Sequence, residues 1–167
     1  MNTMKFTVGE DKKTLIVERT FAAPRSKVWA AYSQPELFAQ WWGPRGWETE
    51  VKHMDFKEGG YLLYGMKCMD EAQGEWFGKV SWGKSTYTKI QPEELIEYTD
   101  AFCDEEGKVD SNMPEMLIKV EFYEEGEGTK LVSTTVFDSP EALQQVIEMG
   151  MQEGFTQTWD RLEEFVA

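Results

Sequence analysis

The sequence is poor in the residues that most often carry chemistry. One histidine and two cysteines are all it holds of imidazole and thiol side chains. No GxSxG, HExxH or dinucleotide fingerprint occurs, so the common hydrolase, metalloprotease and dinucleotide-binding signatures are missing. Cys68 and Cys103 stand far apart in strand-like segments, outside any CxxC pair or Cys/His cluster. That spacing argues against zinc, and reduced packing residues of a cytoplasmic protein are expected instead. No cofactor is expected. Positive charge is also scarce: 17 basic against 31 acidic residues leave a net charge of −14. Nucleic acid and anionic membranes would be repelled. The acidic surface serves solvation or, alternatively, docking to a basic partner. Apolar runs fall well short of membrane-spanning length. The segment Met1–Asp11 has neither an apolar stretch nor a small-residue cleavage pattern, so no signal peptide is expected.

What the chain does have is bulk. Hydrophobic residues make up 41% and aromatics 14%, enough for one ordered domain over residues 1–167. The stretch from Asp138 to Ala167 organises the rest. It opens on Asp138-Ser139-Pro140-Glu141, a helix start capped either by Asp138, with Glu141 reaching back, or by Ser139, with Pro140 in the first turn. At 3.6 residues per turn, Ile147, Met151, Phe155, Thr158, Trp159, Leu162, Phe165 and Val166 share one arc, and Gln152, Glu153, Asp160, Glu163 and Glu164 fall on the other. This predicts a long amphipathic helix. Gly150 and Gly154 interrupt its propensity, marking close approach of a strand or ligand, or else a kink.

Most of what precedes the helix reads as strand. Thr14–Phe21 is the first full strand, with Met4–Val8 extending its edge; Arg25–Ser33 and about Glu36–Trp41 are short helices. Strands follow at about Trp47–Phe56, Tyr61–Met69, within Glu75–Ile90, Leu95–Cys103, Met116–Tyr123 and Thr129–Phe137. In the last two, Met116, Ile118, Val120 and Phe122, and Leu131, Ser133, Thr135 and Phe137, form the predicted inner faces. The expected fold is α+β, β-α-α-β6-α, a curved antiparallel sheet wrapped around a long C-terminal helix.

This order, with its local motifs, resembles the activator of Hsp90 ATPase homologue 1-like branch of the START-like (SRPBCC, Bet v 1-like, helix-grip) superfamily. The resemblance rests on Arg19-Thr20-Phe21-Ala22-Ala23-Pro24 with Val28-Trp29, then Trp41-Trp42-Gly43-Pro44, then Asp55 followed by Gly59-Gly60. The stretches Tyr87–Phe102 and Gly128–Leu131, and Met151–Phe155 with Trp159 and Leu162, continue it nearly to the end. The resemblance implies a sheet gripping the C-terminal helix, with a cavity between them that holds an apolar small molecule in many relatives. It also implies a contrasting role, since eukaryotic relatives carry this domain on an Hsp90 ATPase activator, and some START-like relatives are cyclases or hydrolases.

The candidate residues follow from facing. A pocket would draw on Met151, Phe155, Thr158 and Trp159 of the helix, with Tyr61, Leu63, Tyr98, Phe102, Val120, Phe122 and Ser133 opposite. Asp100 shares the face of Ile96, Tyr98 and Phe102 if alternation holds. There it would be a desolvated carboxylate fit to act as acid, base or ligand anchor; a bulge or strand end would turn it outward instead. His53 is a proton carrier in a cleft or a sheet-face histidine. Asp55 is expected to bind the turn amides of the Gly59-Gly60 hairpin. No residue is assigned as catalytic. The expected partner is a small hydrophobic molecule. A chaperone contact anchored by Trp42 or Trp47 is the alternative, and the chain is expected to be a monomer or homodimer.

Overall fold

The structure is a computed structural model that describes residues 4–113 and 115–167; the first three residues of the Met1–Asp11 segment lie outside it. The chain runs β1 (Lys5–Val8), β2 (Thr14–Phe21), α1 (Arg25–Ser33), α2 (Pro35–Trp41), β3 (Trp47–Met54), β4 (Tyr61–Cys68), a 3₁₀ segment (Glu71–Trp76), β5 (Val80–Gln91), β6 (Leu95–Cys103), β7 (Glu115–Glu125), β8 (Gly128–Val136), α3 (Pro140–Glu148) and α4 (Met151–Val166). All strands join one curved antiparallel sheet in the order β1-β2-β8-β7-β6-β5-β4-β3. β2 pairs with β8, so the first and last strands of the expected series lie side by side. The helices cover the inner face. This is the expected α+β helix-grip architecture.

Local chemistry explains two differences from the sequence reading. Within the stretch Met4–Val8, Lys5–Val8 forms a strand of its own because Asp11 folds the chain back. Its carboxylate accepts from the amides of Lys13 and Thr14, each at 3.0 Å, and from the Thr14 hydroxyl at 2.8 Å. The predicted C-terminal helix is interrupted. Ser139 caps α3, its hydroxyl accepting from the Ala142 amide at 3.1 Å, with Pro140 in the first turn. The chain then leaves helical geometry at Gly150, whose φ of 86° lies in the left-handed region that glycine enters without penalty. α4 continues for 16 residues from there.

Two arginines pin α4 in place. Arg161 sends its guanidinium into the Trp41-Trp42-Gly43-Pro44 corner after α2. There it donates to the carbonyls of Gln40 (3.2 Å), Trp42 (3.2 Å), Gly43 (2.8 Å), Pro44 (3.4 Å) and Trp47 (3.3 Å). Those carbonyls belong to the end of a helix and the turn after it, where intrahelical donors run out. Arg19, on the inner face of β2, is only 4% exposed. It donates to Asp160 and Glu163 of α4, each at 2.6 Å.

The apolar core lies between α4, the α1–α2 pair and the β2–β8–β7 region, with Phe21, Val28, Trp41, Phe122, Leu131, Trp159 and Leu162 almost wholly enclosed. Edge-to-face aromatic contacts tie it together: Trp159 lies 5.5 Å from Phe21, and Tyr32 lies 4.9 Å from Trp41 and 5.6 Å from Phe122. Trp159 also donates its indole N–H to the Tyr32 hydroxyl at 3.0 Å, which joins α4 to α1.

Candidate functional site

Beyond this core the sheet and the helices separate. A cavity of about 400 Å³ lies between the inner face of β4–β8 and the α3–α4 corner. Sheet curvature opens the space and the bend at Gly150 spans it, with Val146, Met149, Gly150 and Met151 lining the helical side. The floor is alternate residues of the strands: Tyr64 and Met66 of β4, Tyr98, Asp100 and Phe102 of β6, Met116, Ile118 and Val120 of β7, Ser133 and Thr135 of β8. Trp42, Gly43 and Pro44 close one end. The Trp41-Trp42-Gly43-Pro44 corner therefore serves two purposes, as the anchor for Arg161 and as part of the wall.

Nine of the predicted residues meet there: Tyr98, Asp100, Phe102, Val120, Ser133, Met151, Phe155, Thr158 and Trp159. Three do not. Tyr61 lies on the outer face of β4, stacked 4.3 Å from His53 with the Lys84 ammonium 4.7 Å above its ring. Leu63 is buried on that same outer face, under the β6–β7 connection at Gly107. The inward residues of β4 are Leu62 and Tyr64, one position out of step with the expectation. Phe122 faces inward but is enclosed by Trp29 and Tyr32, with ring separations of 5.0 and 5.6 Å, and belongs to the core.

Other candidates are also relocated. His53 is exposed on the outer face, away from the cavity. The Asp55 carboxylate meets Lys57 at 3.5 Å, and it is the Asp55 backbone carbonyl that accepts the Lys57 amide. Trp42 is not an exposed anchor: it stacks on Phe38 at 4.9 Å. Trp47 is half-buried at the start of β3. Exposed aromatics among the described residues are Trp76 and Phe77, in the connection between β4 and β5, and Tyr123 on β7.

Asp100 points inward. β6 stays in register with both neighbours there, Asp100 opposing Ser85 and Met116, and the bulge in β5 falls further along, between Tyr87 and Lys89. The Asp100 carboxylate accepts from the Ser85 hydroxyl at 3.1 Å and from the Tyr64 hydroxyl at 3.5 Å. Tyr64 reaches it by leaning across Gly83, where a β-carbon would sit 2.6 Å from the phenol oxygen. Part of the carboxylate faces the void, but protein surrounds it. Burial pushes its pKa up to about 7, and the Ser85 and Tyr64 hydrogen bonds offset only part of that rise. Burial, with the Asp100 charge second, holds the Tyr64 phenol far above its ordinary value. No cation faces Asp100 among the described residues.

The α4 side is shaped by Gly154. It lines the cavity, and an added β-carbon there would meet nothing within 4 Å. The Thr158 hydroxyl donates back to its carbonyl at 2.8 Å. Gly154 thus marks open space, not the close approach of a strand. Gly154→Ala is expected to stabilise the protein by about 0.5–1 kcal/mol through helix propensity alone. Equilibrium denaturation checks this, and a loss of stability would mean the space is filled.

No group of three or more His, Cys, Asp or Glu side chains is placed to hold a metal among the described residues. None of their helices is long and apolar enough to cross a membrane.

Comparison with known proteins fits this geometry. The family model described as activator of Hsp90 ATPase homolog 1-like protein matches residues 22–167. Among solved structures, a Mycobacterium smegmatis protein, Ms6760, is 26% identical, with 100% of this chain and 98% of that one covered at a TM-score of 0.87. A Staphylococcus epidermidis protein is 32% identical, with 96% and 93% covered and a TM-score of 0.81. An Arthrobacter aurescens protein, 24% identical with 98% and 90% covered, shares the fold at a TM-score of 0.85. Comparison with curated proteins gave no match.

Proposed function

We propose that this chain, which belongs to the activator of Hsp90 ATPase homolog 1-like family, is a START-like binding module that holds a small, largely hydrophobic molecule between its sheet and its C-terminal helices. The observation that carries this reading is the cavity of about 400 Å³. Its size falls in the range of small-molecule sites, and its walls are mostly apolar with a few convergent hydroxyls and one carboxylate, which is the composition such sites use. A void this large inside a well-packed protein forfeits contact energy unless something fills it. Free thiols at Cys68 and Cys103 agree with a reducing compartment such as the cytoplasm. Native mass spectrometry of the purified protein, with thermal shift against a panel of apolar molecules, tests the reading. Co-purified ligand or a concentration-dependent rise in melting temperature is expected; the lack of both would remove it.

Phe155 separates wall from core. It is half-buried, lines the cavity, and packs edge-on against Trp159 at 4.8 Å and Phe6 at 6.4 Å. Truncating a wall residue enlarges a space that is already open, so Phe155→Ala is expected to cost about 1–2 kcal/mol, short of the ~3–5 kcal/mol of an enclosed phenylalanine. Ligand uptake should change with it. Unfolding free energy and binding are measured on the same variant; a full core-sized loss with unaltered binding would move the pocket elsewhere.

A second reading is contact with an Hsp90-like chaperone. It draws on the family and on a cluster of exposed apolar residues, Met69, Trp76, Phe77 and Val80, around the β4–β5 connection. An ATPase assay of the host chaperone with saturating protein decides it: a rate change that Trp76→Ala abolishes supports the contact, and an unchanged rate removes it.

A further inference from the structure

Among the described residues, the cavity's one carboxylate has no counter-ion. Asp100 lies on the inner face of β6, held by two neutral donors, the Ser85 hydroxyl at 3.1 Å and the Tyr64 hydroxyl at 3.5 Å. The arginines of the inner side are committed elsewhere, Arg19 to Asp160 and Glu163 and Arg161 to backbone carbonyls. Lys84 lies on the outer face above Tyr61. A buried carboxylate is normally paired, because an uncompensated charge in an apolar setting costs far more than a paired one. Around it stand aromatic faces: Tyr98 and Phe102 are its same-face neighbours along β6, and Trp42 lies 6.0 Å from Tyr64 across the cavity end. An aromatic enclosure ending in a carboxylate suits a cation carried on an apolar body, since ring faces attract positive charge. The net charge of −14 draws cations toward the protein and repels anions.

We infer that the cavity selects lipophilic amines, the ammonium of the ligand supplying the missing counter-ion to Asp100 while its hydrocarbon part fills the apolar space toward α4. This rests on the reading of the cavity as a ligand site and adds the chemical class of the ligand. A fatty acid of the same length would set two anions against each other. A neutral alcohol would fill the apolar part and leave Asp100 unpaired.

The pairing has a pH signature. An alkylammonium stays charged from pH 6 to 8, so the variable is the protonation of Asp100. The titratable groups that face it are Tyr64 from β4, Tyr87 from β5 and Tyr98 from β6; Cys103 turns to the other face of β6. Burial raises all four above their ordinary values, so they stay protonated in this window. On the helical side the cavity is lined by Tyr32 of α1, also raised by burial, and by uncharged residues of α3 and α4. With Asp100 titrating at about 7, its ionised fraction grows about tenfold between pH 6 and pH 8, and amine affinity should follow.

The test uses octylamine, 1-octanol and octanoate as matched probes, with dissociation constants measured by calorimetry at pH 6 and pH 8 on the wild type and on Asp100→Asn. Octylamine is expected to bind the wild type at least tenfold more tightly than 1-octanol at pH 8. That preference should shrink about tenfold at pH 6 and vanish in Asp100→Asn, which octanol should bind at least as tightly as it binds the wild type. Octanoate should bind weakest. If octylamine and octanol bind the wild type equally, or if the octylamine constant does not move between the two pH values, the amine inference is overturned and the apolar-pocket reading stands. If none of the three binds, the pocket reading falls with it. The wild-type comparison alone is decisive should the variant fold poorly.

Discussion

Neutralising both acidic partners of Arg19, as Asp160→Asn with Glu163→Gln, is expected to destabilise the protein by about 2–4 kcal/mol, more than replacing the arginine itself. The asymmetry follows from where the charges sit. The Arg19 side chain is 3% exposed, whereas Asp160 and Glu163 keep 39% and 30% of their side-chain surface open to water. Removing the carboxylate charges strands a guanidinium that has no route to solvent, the costly case for a buried pair. Arg19→Met instead leaves two carboxylates that hydrate where they stand and fills the space with an apolar side chain, at a cost of about 1–2 kcal/mol. Each variant keeps the Phe21 ring that the guanidinium overlies at 5.4 Å. Urea unfolding of both variants checks the order. Equal losses, or a larger loss for Arg19→Met, would mean that packing and not charge sets the strength of the β2–α4 joint.

That joint shows why part of the architecture was illegible in the sequence. Arg19 and Asp160 are 141 residues apart, and on the α4 wheel Asp160 and Glu163 simply read as solvated. Periodicity reports which residues are apolar, not which charged ones meet. Where apolar and polar residues alternate, facing was readable: Met116, Ile118, Val120 and Phe122 of β7, Leu131, Ser133 and Thr135 of β8, and Phe137 just after it all turn inward. Tyr61-Leu62-Leu63-Tyr64 carries no such information, because four large residues in a row fit either register. What decides between them is a distant loop: the β6–β7 connection covers the outer face at Leu63, and both sides of β4 are buried there. The break at Gly150 was hidden for a related reason. α3 and α4 are each amphipathic, so the apolar pattern continues across the bend, and the glycine itself was the one available signal. The α4 side and the β6–β8 part of the cavity wall were therefore legible, and the position of its floor along β4, the α3–α4 corner and the Trp42-Gly43-Pro44 end were not.

Replacing Asp100 by asparagine is expected to stabilise the ligand-free protein at pH 8 by about 2–4 kcal/mol, and to leave it nearly unchanged below about pH 4. In the folded protein the Asp100 carboxyl titrates at about 7, against 3.8 for an unperturbed aspartate. Between those values the folded state holds a proton that the unfolded chain has released. Stability from this group is therefore fully present below about pH 4 and falls as pH rises through 7. The gap, at about 1.4 kcal/mol for each pH unit, sets a ceiling near 4 kcal/mol, and relaxation of the partly open site lowers the realised figure. Asparagine keeps the shape and an acceptor for Ser85 and Tyr64 but cannot ionise, so the cost at high pH disappears. Other carboxylates titrate in both proteins and cancel when unfolding free energies are subtracted at each pH. A difference curve that rises from pH 5 to pH 8 supports a desolvated, unpaired carboxylate on the cavity wall. A flat difference would show that Asp100 is already ionised and compensated across the range, leaving the cavity without an unmet charge to offer a ligand.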